Sequence, residues 1–108
     1  MTLQWTFTAE EDLEDILEYI AFNDGISRAE DIGLLILEKA EKIKAYPDKG
    51  RLVPELKSIS VLAYREKIIS PWRIVYRFHE SEVYVVSVLD GRRDLRRLIE
   101  QRWDRGLL

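Results

Sequence analysis

The chain has 108 residues, 46% of them hydrophobic, with no cysteine and a single histidine. That length fits one domain over residues 1–108 with one modest core. The composition excludes a disulfide framework and a thiolate metal site, and argues against a histidine-rich metal centre or a histidine-driven triad. The net charge of −3 conceals an asymmetry: residues 1–54 hold 6 basic and 12 acidic side chains, whereas residues 55–108 hold 11 and 8, so general duplex binding is disfavoured while a local basic patch remains open.

No apolar run approaches the roughly 20 residues of a membrane span, and no signal segment opens the sequence; a cytoplasmic protein with no membrane partner is expected. Thr2 to Phe7 alternates apolar and polar and reads as a half-buried strand. Thr8 and Glu11 have the spacing of a capping box, and Leu13, Ile16, Leu17 and Ile20 follow helical spacing, predicting a helix over 9–22 closed by Asn23-Asp24-Gly25. Ser27 and Glu30 have the spacing of a second capping box. Ile32, Leu35, Ile36, Ala40 and Ile43 form the inner stripe of a second helix ending near Ala45, before Pro47. Leu34 and Leu37 widen that stripe and suggest burial on two sides or an apolar contact with a partner. The two helices read as an antiparallel hairpin.

Residues 48–60 read as a loop. Three strands are predicted after it, over 62–69, 72–78 and 83–89, and a short polar helix over 94–103. In the middle strand Trp72, Ile74, Tyr76 and Phe78 share one face and Arg73, Val75, Arg77 and His79 the other. With the apolar set packed on the helices, the second set faces away from them. If Tyr64, Glu66 and Ile68 also turn inward, Arg65 and Lys67 join Arg73 and Arg77 on one open cationic face, with Arg92 and Arg93 at its end. Such a face suits phosphates or the carboxylates of an acidic peptide. The competing outcome is pairing within the chain, to Glu66, Glu80, Glu82 or Asp94. His79 reads as a turn residue, Tyr64 and Tyr76 as core, and Trp103 as an anchor for the C-terminal segment.

Tyr46-Pro47, Gly50-Arg51, Pro54-Glu55-Leu56, Tyr64-Arg65-Glu66, Trp72 to Arg77 and Gly91-Arg92-Arg93-Asp94-Leu95 follow in an order and spacing that resembles the RelE/ParE superfamily of toxins from type II toxin–antitoxin systems. The resemblance covers nearly the whole chain and implies an α+β fold, β-α-α-β-β-β(-α), with a helical hairpin packed on a small, mainly antiparallel sheet like that of microbial ribonucleases. It also implies a cognate antitoxin that wraps the toxin and neutralises it. No cofactor, metal or small-molecule substrate is implied.

The superfamily contains two activities: RelE-like members cut messenger RNA on the ribosome, and ParE-like members poison DNA gyrase. By position Arg65, Lys67, Arg73 and Arg93 match the cations of the RNA-cutting members, but the tyrosine of their C-terminal segment falls near Ile99 and no tyrosine follows Tyr84. Cutting RNA through its own 2′-hydroxyl needs a base and an acid as well as cations, and arginine stays protonated at neutral pH. The Trp72–Arg77 and Gly91–Leu95 wording is more like ParE, although many such chains carry histidine where this one has Asp90. A ParE-like inhibitor of DNA gyrase is therefore expected, acting by binding. The alternatives are a ribosome-dependent mRNA interferase and an inactive scaffold that only binds its antitoxin. Leu34, Leu37, Arg65, Arg73 and Arg77 are the expected antitoxin contacts, the last three as clamps on an acidic-apolar tail. Arg92, Arg93, Arg96 and Arg97, with the hairpin, are the surfaces expected to meet the target.

Overall fold

The computed structural model describes residues 1–108. β1 (Thr2–Trp5) passes within one residue to α1 (Phe7–Asp24), because Thr6 ends the strand and caps the helix. Its extended backbone N–H donates to the Val85 carbonyl at 3.0 Å, and its hydroxyl accepts from the Ala9 N–H at 3.2 Å. Thr8 thus lies inside the first turn, and the expected Thr8–Glu11 box is not the cap. α1 continues past Phe22 to Asp24, where Gly25 alone joins it to α2 (Ile26–Glu41). At φ 97°, Gly25 closes α1 by donating to the Ala21 carbonyl (3.1 Å) and opens α2 by accepting from the Ala29 N–H (3.2 Å), a conformation open to a residue without a Cβ. Ser27 falls within α2, which has no side-chain cap, so the second expected box is also absent.

Two 3₁₀ turns (Lys42–Ala45 and Pro47–Lys49) lead into β2 (Arg51–Leu52) and the one-turn helix α3 (Pro54–Lys57), both in a segment expected to be loop. β3 (Tyr64–Ile69), β4 (Trp72–His79), β5 (Glu82–Asp90) and α4 (Arg96–Asp104) complete the chain. The sheet order is β1-β5-β4-β3-β2, antiparallel except for the parallel β1–β5 pair. This is the expected α+β architecture, enlarged by β2 and α3.

The sheet has a core on each face. Under the hairpin, Ile32, Ile36 and Ala40 pack on Ile74, Tyr76, Val83 and Val85. Burial of one such isoleucine contributes about 1.5–3 kcal/mol. On the opposite face Val53 and Leu56, with Leu95 and Ile99, cover Tyr64, Val75, Val86 and Leu89. The expectation of a sheet face left bare is overturned here. Scattered apolar residues of α3 and α4, each weak alone, meet the β4 and β5 side chains that point away from the hairpin. β5 serves both cores because its register shifts opposite Val75 and Tyr76, which pair with Ser87 and Val85. Val86 is the extra residue, so Val85 and Val88 face the hairpin while Val86 and Leu89 face α4.

Candidate functional site

Register decides which cations can meet. Directly paired residues of antiparallel strands lie on one face. Tyr64 pairs with Arg77, Glu66 with Val75 and Ile68 with Arg73, whereas Arg65 pairs with Tyr76 and Lys67 with Ile74. Arg65 and Lys67 therefore sit on the hairpin side of the sheet, and Arg73 and Arg77 on the α4 side. The expected convergence of these four cations is corrected. Tyr64 turned toward the second core, which carried Glu66 to the face of Arg73.

Arg73 is 8% exposed and Glu66 1% exposed. The Arg73 guanidinium donates to both carboxylate oxygens of Glu55 (2.8 and 2.7 Å) and through Nε to Glu66 Oε1 (2.8 Å). The other Glu66 oxygen accepts from Arg51 Nε at 2.5 Å. Two cations and two carboxylates thus cancel within the chain, with Arg51 at the exposed edge of the cluster. The Arg73 hydrogen bonds hold the Glu55 carboxyl below the usual carboxylate range, and the Glu55 carboxylate raises the Arg73 pKa further. The loop that brings in Arg51 is pinned by Tyr76, whose hydroxyl donates to the Pro47 carbonyl (2.6 Å) and accepts from the Gly50 N–H (3.1 Å). Burial raises the pKa of that hydroxyl. A Cβ on Gly50 would collide with it and lie 2.9 Å from the Glu66 carbonyl oxygen. Arg65 also serves this loop, donating to the Gly50 carbonyl at 2.8 Å.

Arg77 stacks over the Tyr84 ring, 4.3 Å from its centroid. His79 and Glu80 sit exposed at the β4–β5 turn. Of the C-terminal arginines, Arg92 folds back on Asp90 in a bidentate pair (3.0 and 2.7 Å), which lowers the Asp90 pKa. Arg96 reaches Ser58 Oγ at 2.9 Å. Arg93 and Arg97 are exposed and unpaired. Arg28, Asp15, Tyr19 and Arg93 line a polar cleft of about 700 Å³ between the hairpin and the ends of β4 and β5. One structural pair was missed from sequence: Arg102 on α4 grips Asp12 on α1 bidentately (2.7 and 2.8 Å) and also donates to Ser87 Oγ at 2.9 Å. The partners lie 90 residues apart, and no local pattern announces them.

A broad concavity of about 1000 Å³ runs along the outer side of the hairpin between α1 and α2. Leu17 and Gly33 meet at its floor, where a Cβ on Gly33 would lie 3.2 Å from the Leu17 side chain. Leu34 (67% exposed) and Leu37 (44% exposed) stand on its α2 wall. Their exposure overturns burial on two sides, one of the two outcomes expected for these leucines, and leaves apolar surface open on the hairpin.

The family model described as "ParE toxin of type II toxin-antitoxin system, parDE" matches residues 3–95, the span from β1 to the turn before α4. The chain belongs to the ParE toxin family. It is 28% identical over 88 residues to Toxin ParE3 of Caulobacter vibrioides, a match covering 78% of this chain and 80% of that protein. A solved structure titled "Chromosomal ParDE TA system from P. aeruginosa" superposes with a TM-score of 0.69 at 20% identity, covering 83% of this chain and 95% of the other, and establishes the shared fold. Set on this ParE frame, α4 lies beyond the matched residues, yet it supplies Ile99 to the second core and Arg102 to Asp12. The ParE toxin belongs to a parDE-type system, and such a system implies a cognate antitoxin. No helix is long and apolar enough to cross a membrane.

Proposed function

We propose that this ParE-family toxin acts by binding rather than by making or breaking bonds, that its target is DNA gyrase, and that a cognate antitoxin neutralises it at the hairpin groove. The observation carrying the first part is the state of Arg73. The RNA-cutting alternative needs Arg65, Lys67, Arg73 and Arg93 around one phosphate, with a separate base and acid. Arg73 is instead closed between Glu55 and Glu66, and Arg65 and Lys67 lie across the sheet from it. A phosphate entering there would have to displace two carboxylates from a buried arginine. Of the four arginines expected to meet the target, Arg93 and Arg97 are unpaired and the first to test for target contact. Leu34 and Leu37 are the apolar anchors for the antitoxin.

Purified chain added to a gyrase supercoiling reaction is expected to block supercoiling and to leave cleaved DNA. Normal supercoiling together with cleaved transcripts in cells would replace this reading with the ribosome-dependent one. Normal growth of cells expressing the intact, folded chain would reduce it to an antitoxin-binding scaffold. For the antitoxin, co-expression with the reading frame immediately upstream is expected to restore growth and to yield a co-purifying complex.

A further inference from the structure

We propose that the hairpin groove selects an amphipathic helix whose apolar face is flanked by lysine or arginine, the opposite charge to an acidic tail that open sheet cations would clamp. The groove has an apolar floor and a rim of one sign. Glu10, Glu14 and Glu18 stand along its α1 edge and Glu30 on its α2 edge, and no lysine or arginine lines it. All four glutamates are exposed, and none makes an ion pair within the chain. Asp12, Glu55, Glu66 and Asp90, by contrast, each grip an arginine.

Spacing favours a helix as the occupant. Glu10, Glu14 and Glu18 recur every four residues, so they rise roughly 6 Å per step along α1, the same step taken by cations four apart on a partner helix. Like charges at that spacing weaken an isolated helix, and cations on a bound partner offset that repulsion. Between the charged edges, Leu34 and Leu37 present apolar surface that an i, i+3, i+4 stripe would cover. An acidic helix in the same seat would set carboxylates against carboxylates at an apolar, partly desolvated contact.

This inference rests on the reading of the groove as the antitoxin seat, and the test separates the two. Two synthetic helical peptides share one leucine stripe and carry either lysine or glutamate beside it; each is titrated against the full-length chain by fluorescence anisotropy. The lysine peptide is expected to bind at least tenfold more tightly at low salt, with the gap narrowing as salt rises. The double variant Glu14→Lys/Glu18→Lys is expected to reverse the preference, and Leu34→Asp to abolish binding of the lysine peptide while circular dichroism stays unchanged. Equal affinities, or a preference for the glutamate peptide, would overturn the charge selectivity. Binding of neither peptide, or binding that survives Leu34→Asp, would overturn the groove as its seat. Rescue of growth by the upstream reading frame is scored independently, so the antitoxin reading can stand while the selectivity falls, and the reverse.

Discussion

The Arg73 cluster and the hairpin groove handle charge in opposite ways. Around Arg73, two arginines and two glutamates close on each other at 2.5–2.8 Å with Glu66 fully buried. Along the groove, four glutamates ring an apolar surface with no cation among them. In sequence Arg73 looks available for a partner and the glutamates look like ordinary helix solvation; the folded chain closes Arg73 between two carboxylates and gathers the four exposed glutamates around one apolar surface. The two regions differ in the pairing state of their charges, not in the number of their carboxylates alone.

The largest effect that would break this contrast is at Arg73. Arg73→Ala leaves Glu66 buried with only Arg51 and is expected to cost about 3–5 kcal/mol in chemical denaturation. A loss below about 1 kcal/mol would mean that the cluster behaves like a surface pair. The pH dependence probes the same cluster. Because the folded Glu55 pKa is depressed, its contribution is fully present above the unfolded value of 4.5 and is lost as pH falls through the folded pKa. Stability should therefore decline below about pH 4.5, by at most about 1.4 kcal/mol per pH unit for this one proton, and Glu55→Gln should flatten that acid limb in thermal melts.

Smaller effects sharpen the account of the hairpin itself. Thr6→Ala should cost about 1 kcal/mol, whereas Thr8→Ala and Ser27→Ala should stay within about 0.5 kcal/mol; equal losses at Thr6 and Thr8 would contradict the observed cap. At the groove rim, Glu14→Lys should raise thermal stability slightly, by about 0.2–0.5 kcal/mol for each like-charge neighbour relieved. A loss of stability there would mean that Glu14 already has a partner in solution.

Both helices and the three long strands were legible because their apolar spacing is local. Ile32, Ile36 and Ala40 need only α2 to declare a face, and Trp72, Ile74 and Tyr76 need only β4. The caps were misplaced because a Thr-x-x-Glu pattern does not say where the preceding strand lets go; Thr6 is still bound to Val85 when α1 begins. The cationic face failed at β3. Tyr64-Arg65-Glu66-Lys67-Ile68-Ile69 offers a mixed set on either face, so alternation alone cannot orient it, and pairing with β4 does. One available signal pointed to the second core: Val83 to Leu89 is nearly continuous in apolar residues, as in a strand buried on both faces. The residues that cover it, Leu56 and Ile99 among them, sit in polar stretches where apolar spacing is too short to declare a face: Leu95, Leu98 and Ile99 keep helical spacing over little more than one turn. Leu34 and Leu37 were legible as surplus apolar residues, but their glutamate frame emerges only once α1 and α2 lie side by side.

Gly25 carries a consequence for how such a surface can diverge. A bend of one residue, in a dihedral that side-chain-bearing residues avoid, leaves no slack between the two helices. The width of the trough is thus set by the chain's own covalent geometry and by the Leu17–Gly33 approach. Reshaping the trough must then proceed by exchanging side chains along fixed walls, one position at a time, instead of by lengthening a connection.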